Sequence, residues 1–305
     1  MKTARKLICI LIAILLVASL VPVTLASEAS VTDHDSFMNA ITDQNCHSIF
    51  LEADISGFTD ADRDALLSIN RDLTIDLNGH TINLADKTAN KVEDNRDDLT
   101  IGVKGGTLTI CDGNGSGAEG RITSTHISAF SAGNVSGTIQ VYSGGSLEVK
   151  SGTIRNNARG QACAICSHGG TVTVGGGTKK AKISAVSNGS NEANGIWCDK
   201  SDTASTTLTV KEHAEISARI TEGGYNTQQK AVGIYVRGNS AVTMEGGSIT
   251  ATDETGNAFE SHWAQGIRCI YGNVTVSGGT ISASSEHSQA AGIAVAIRRT
   301  AKQGL

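Results

Sequence analysis

The phrase Ala-x-Gly-Ile recurs along the chain and constrains it more than any other feature. It stands at Ala193–Ile196, Ala231–Ile234, Ala264–Ile267 and Ala290–Ile293, with a variant at Ala162–Ile165. Successive isoleucines lie 31, 38, 33 and 26 residues apart, so this is a repeat with insertions. All copies but the last continue alike. A second β-branched burst follows (Val172-Thr173-Val174, Leu208-Thr209-Val210, Val242-Thr243-Met244, Val274-Thr275-Val276), then a third centred on Ile183, Ile216, Ile249 and Ile281. Leu147-Glu148-Val149 with Ile154 belongs to the series, and Leu108-Thr109-Ile110 with Ile122 reads as an earlier member.

Three short strands per repeat describe a triangular coil. One coil cannot bury its inward Ile and Val side chains, whereas stacked coils bury them in a continuous core. The expected fold is therefore all-β: a right-handed parallel β-helix in outline, its hand not being encoded in residue pattern. Glycine pairs are expected at the corners, where positive φ is needed. A β-sandwich competes, but hairpin turns at regular spacing would suit it better than a shared order of three bursts. The only proline is Pro22, and a long remainder without proline fits strands paired on both sides. Stacks need caps. Ser36–Ile41, after an acidic cap-forming stretch, reads as a short capping helix, and "SIFLEADI" as the first strand.

Residues 1–26 read as a secretory signal peptide: Lys2, Arg5 and Lys6, the apolar run Leu7–Leu20, then Thr24-Leu25-Ala26 before Ser27. A membrane anchor is the competing reading, but Ser19 and Pro22 interrupt a run already short for a span. The expected division is 1–26 signal, 27–60 cap and first strand, 61–297 β-helix and 298–305 a basic tail. Ending in Arg298-Arg299-Thr300-Ala301-Lys302 where another burst is due reads as a truncated or frameshifted product rather than an interaction tail. Removing three cations from a formal charge of −5 leaves −5 − 3 = −8. Such a chain carries no overall footprint for nucleic acid or anionic lipid, and no membrane insertion is expected after signal removal. Six cysteines remain. Cys163-Ala-Ile-Cys166 has CxxC spacing but lies in a strand-like repeat, and small core or surface cysteines are the simpler reading.

The phrases "DLTIDLNGHTIN" (72–83), "GGTLTI" (105–110) and "GGTIS" (278–282) make residues 36–295 similar to the pectate-lyase-like β-helix superfamily, especially adhesin-like surface proteins of gut bacteria. The resemblance implies the architecture; function is open, since this fold hosts lyases, hydrolases and non-enzymatic proteins. A hydrolase of this kind implies Asn-x-Asp, Asp-Asp, Gly-His-Gly and Arg-x-Lys motifs. Ser167-His168-Gly169-Gly170 is only a fragment of one, and Asn78-Gly79-His80 sits at a turn. Two carboxyls are needed for glycoside hydrolysis, and Glu148 faces Thr173 and Thr209 on aligned rungs. A lyase implies an arginine beside a calcium-binding acid cluster; Arg96 with Glu93, Asp94, Asp97 and Asp98 is the best candidate, and reads more simply as a solvated loop. Asp112–Gly117 begins like a calcium loop, but its twelfth position is Thr123 where a bidentate Glu is wanted. No catalytic residue, metal or cofactor is assigned.

The repeat itself suggests a surface. Side chains alternate along a strand, so the residue after each inward isoleucine points out. Coil by coil this position holds Cys166, Trp197, Tyr235, Arg268 and Ala294. Trp197, Tyr235 and Arg268 are expected to form an exposed ladder that stacks on sugar C–H faces and bonds sugar hydroxyls or carboxylates. Bracing of the sheet by neighbouring aromatics is the alternative. A second ladder, Thr173, Thr209, Thr243 and Thr275, is ordinary exposed strand surface. The resulting expectation is a secreted or cell-surface adhesin-like protein binding a polysaccharide or host glycan, or host matrix, or acting as a rigid stalk, with a polysaccharide lyase or glycoside hydrolase as the alternative.

Overall fold

The computed structural model describes residues 27–66, 68–85, 99–114, 117–125, 136–189, 192–222, 230–255, 263–286 and 289–296. The expected signal peptide, the Arg96 acid cluster and the basic tail lie outside them.

Among the described residues every strand pairs in parallel with its neighbours, in three sheets. The first sheet has nine strands and starts at Ser27–Val31; the second and third have seven each. In each repeat the Gly-Ile burst lies in the third sheet, the second burst in the first sheet and the third burst in the second sheet, as in Glu192–Asp199, Thr207–Val210 and Ala214–Ile220. The chain is a right-handed parallel β-helix with a capping helix.

The register explains why isoleucine recurs. Seven isoleucines, from Ile101 to Ile293, stack in one column inside the third sheet. Seven more, from Ile82 to Ile281, do so inside the second. The first sheet adds Ile75, Ile110, Val149, Val174, Val210 and Met244. Stiff β-branched side chains suit a pleated surface, and stacking identical ones leaves few voids. The earlier members inferred at Ile110 and Ile122 sit in register with the rest. Corners fall where glycine pairs were expected, with Gly247 and Gly279 at φ +75° and +89°.

The cap forms as anticipated and extends further. A helix, α1, spans His34–Thr42, with Asp33 and Ser36 bonding reciprocally at its start. It buries Phe37, Ala40 and Ile41 over the first coil, with Phe37 edge-on to Phe58 at 5.8 Å. Strand Ser27–Val31, parallel to Cys46–Leu51, was not anticipated. Its alternation is short and its outward residues small, so no long periodic signal marked it. At the other end Ile293 and Val295 are exposed, with no described coil over them. No helix among the described residues is long and apolar enough to cross a membrane.

Candidate functional site

The outer surface of the third sheet owes its character to the glycine in Ala-x-Gly-Ile. A Cβ at Gly195, Gly233 or Gly266 would collide with Cγ2 of Ile216, Ile249 or Ile281 in the second sheet. Glycine and isoleucine therefore both face the core, and the chain returns to the outside three residues after leaving it. Outward positions come in pairs three apart: Cys163 and Cys166, Asn194 and Trp197, Val232 and Tyr235, Gln265 and Arg268. Simple alternation gives only the second member of each pair, which is why Val232 and Gln265 escaped the sequence reading.

The expected ladder forms in register, Cys166 beside Trp197, then Tyr235, Arg268 and Ala294. Trp197 and Tyr235 stack with centroids 4.2 Å apart and planes 5° from parallel. The Arg268 guanidinium lies 5.4 Å from the Tyr235 ring centre and 4.0 Å from that of Trp263, so it bridges the two aromatics. Arg237 lies 5.7 Å from the Trp197 ring and 3.8 Å from Asp199. Cations over aromatic faces gain electrostatic attraction, more when partly desolvated.

The exposure expected of this ladder is corrected. Trp197 is 3% exposed and Tyr235 9%. With Cys163, Cys166 and Val232 they form a small hydrophobic cluster outside the main core, against which Trp263 and Ile270 pack. Their ring faces are spent on each other rather than offered to solvent. Burial pushes the Tyr235 phenol and the Glu192 carboxyl above their ordinary values, partly offset by Arg268 at both. Burial likewise pushes the Cys166 thiol well up, and its Sγ lies 3.2 Å from His168 Nε2. No disulfide joins any two of the six described cysteines.

What stays open is the next rung. Trp263, Gln265, Arg268 and Ile270 are half-buried and line a cleft of about 330 Å³ with Gln289 and Val295. Gln265 Oε1 is buried with no hydrogen-bond partner among the described residues. An aromatic edge, a guanidinium and two amides make a cleft that can hold a polar ligand carrying apolar faces. Trp263 was also missed, although a signal for it exists: it directly precedes the repeat phrase and so lies outward beside Lys230.

Three further motifs within the described residues are engaged in local contacts. Asn78 and Gly79 form a turn with positive φ, and His80 lies 3.5 Å from Asp54. The Asp112 carboxylate accepts the N–H groups of Gly79 and Gly120, so the start of the calcium-like loop is occupied by backbone donors. Glu148 pairs with Lys150 at 3.2 Å and interrupts a threonine column that runs from Thr74 and Thr109 through Thr173, Thr209, Thr243 and Thr275.

Residues 28–148 match the family described as "Putative pectate lyase-like adhesive domain". This covers the cap and early coils, about two fifths of the chain, and the same three sheets continue through the remaining described repeats. No curated protein and no solved structure matches the chain.

Proposed function

Taking the chain as an adhesin-like β-helix protein of the pectate-lyase-like superfamily, we propose that it is exported and holds a glycan or host-matrix sugar on the outside of its third sheet. The contact is the cleft of Trp263, Gln265, Arg268 and Gln289, with Tyr235 bracing Arg268 from the rung below and Trp197 stacked on Tyr235 one rung further down. The observation that carries this reading is the stacked aromatic–arginine column that ends in an open, polar-rimmed cleft. Sugar rings suit such a place, since their C–H faces pack on aromatic surface while amides and guanidinium take the hydroxyls. The signal-like N-terminus supports export.

The test is a glycan array of plant, microbial and mucin sugars, read with the purified exported protein. Selective binding is expected. Arg268→Ala and Trp263→Ala should each weaken the selected glycan about tenfold, roughly 1.4 kcal/mol, with the melting transition retained. Binding that ignores both variants would remove the cleft from the site, and silence across the array would remove the glycan reading.

A further inference from the structure

The outer face of the second sheet is chemically unlike the rest of this acidic chain. Along its strands lie two adjoining hollows of about 550 and 590 Å³ that share Glu119 and Lys182. Five cations line them, Arg121, Arg155, Lys179, Lys180 and Lys182, against three carboxylates, Asp112, Glu119 and Glu215. All three carboxylates are taken. Glu119 pairs with Lys182 at 2.9 Å, Glu215 pairs with Lys180, and Asp112 accepts backbone N–H groups. Lys179 donates to the carbonyls of Asp112 and Asn114.

Arg121 and Arg155 remain. Neither side chain has an ion pair or hydrogen bond among the described residues, and Arg155 Nε and Thr153 Oγ1 are buried without a partner. Leaving a buried donor unmatched costs about 1–3 kcal/mol, more when it belongs to a charged group. The register sets Arg121 beside Thr153 and Arg155 two residues further along the adjacent strand. From the strand spacing and rise, the two guanidinium stems are roughly 8 Å apart across the groove. Ser184, Ser217 and Thr250 continue the Arg155 column along the stacking axis as a hydroxyl row.

We propose that this groove binds an anionic polysaccharide, its carboxylates or sulfates on Arg121 and Arg155 and its hydroxyls on the serine–threonine row. Guanidinium forks match both anions in a bidentate manner. An open groove parallel to the stacking axis suits an extended chain. Single-stranded nucleic acid is disfavoured, because the two hollows hold no Phe, Tyr or Trp and only one imidazole, His213, to stack successive bases. The inference rests on the proposed glycan-holding role but uses a different face, so the two can fail separately.

The full chain is tested by calorimetry at low salt with heparin as the sulfate source, alginate as the carboxylate source, neutral dextran and single-stranded DNA. Binding to heparin, alginate or both is expected, lost at high salt and absent for dextran; which of the two binds identifies the anion. The Arg121→Ala/Arg155→Ala double variant should bind at least about tenfold more weakly. Ser217→Asp places a carboxylate in the groove without removing a packed arginine, and should weaken binding likewise even if the double variant folds poorly. Failure of both polyanions, indifference to both variants, or equal binding of DNA would each overturn the inference. Array binding that survives at the Trp263–Arg268 cleft would then leave the first reading standing, whereas silence toward every glycan would sink both.

Discussion

The two faces of the third sheet are made by the same strands and obey different rules. Inside, seven consecutive rungs hold isoleucine. Outside, one residue further along, the rungs hold Gly102, Gln140, Cys166, Trp197, Tyr235, Arg268 and Ala294, seven different residues. The inner column is fixed by mutual packing, since each side chain is the floor of the next and close-packed interiors feel even one methylene. The outer column is free of that demand, so its composition records what each rung does locally. Part of it nevertheless closes into a second small core around Trp197 and Tyr235.

The sharpest way to break this contrast is at the glycine that sets it up. Gly233→Val would drive side-chain atoms into Ile249 and the Gly266 carbonyl, and is expected to abolish the cooperative fold, read as loss of soluble protein with a melting transition. A folded variant would show that the double inward turn at Gly-Ile is not required. Next comes a pair of neighbours. Ile234→Ala should cost about 2–5 kcal/mol through its cavity, whereas Tyr235→Leu keeps apolar bulk, loses the ring stack and should cost about 1 kcal/mol. Urea midpoints at constant slope measure both, and equal losses would mean the outer cluster supports the fold as strongly as the core.

The smallest effect belongs to the cap. His34 Nε2 lies 3.0 Å from Asp62. Burial pulls the His34 imidazole down, but bonds to Asp35 and Asp62 outweigh it and its pKa ends above the ordinary 6.5. Burial pushes Asp62 up, and the Thr59 N–H and His34 bring it below the ordinary 3.8. A raised histidine stabilises below its unfolded value and loses this as pH rises through the folded one; a lowered aspartate stabilises above its unfolded value and loses this as pH falls. The pair therefore contributes most between 3.8 and 6.5. His34→Gln should lower stability by less than about 1 kcal/mol at pH 5.5, with the gap closing by pH 8.5. A gap independent of pH would assign His34 to packing on Phe58 alone.

Much of this architecture was legible because a solenoid repeats its instructions. The Ala-x-Gly-Ile phrase, the two following bursts and the capping helix each carry a local pattern with one economical solution, and the register between distant rungs follows from aligning like residues. The ladder of Trp197, Tyr235 and Arg268 was legible as a column for the same reason. Its burial was not. Whether an outward side chain meets water depends on the second outward residue of each pair, on the rungs above and below, and on the connections between repeats, none of which a strand's alternation encodes. The basic groove was hidden for a related reason: Arg121, Arg155 and Lys182 are scattered over 62 positions in a chain whose net charge is negative, and only stacking brings them onto one surface.

By itself, then, the sequence determined that the chain coils, which residues fill the coils and which columns they form, because burial of β-branched side chains at a repeating interval has no cheaper solution. The tertiary structure alone decided which of the outward columns is closed and which is open. That choice is made by neighbours far apart in the chain, through desolvation of aromatic rings on one sheet and unmatched guanidinium groups on another.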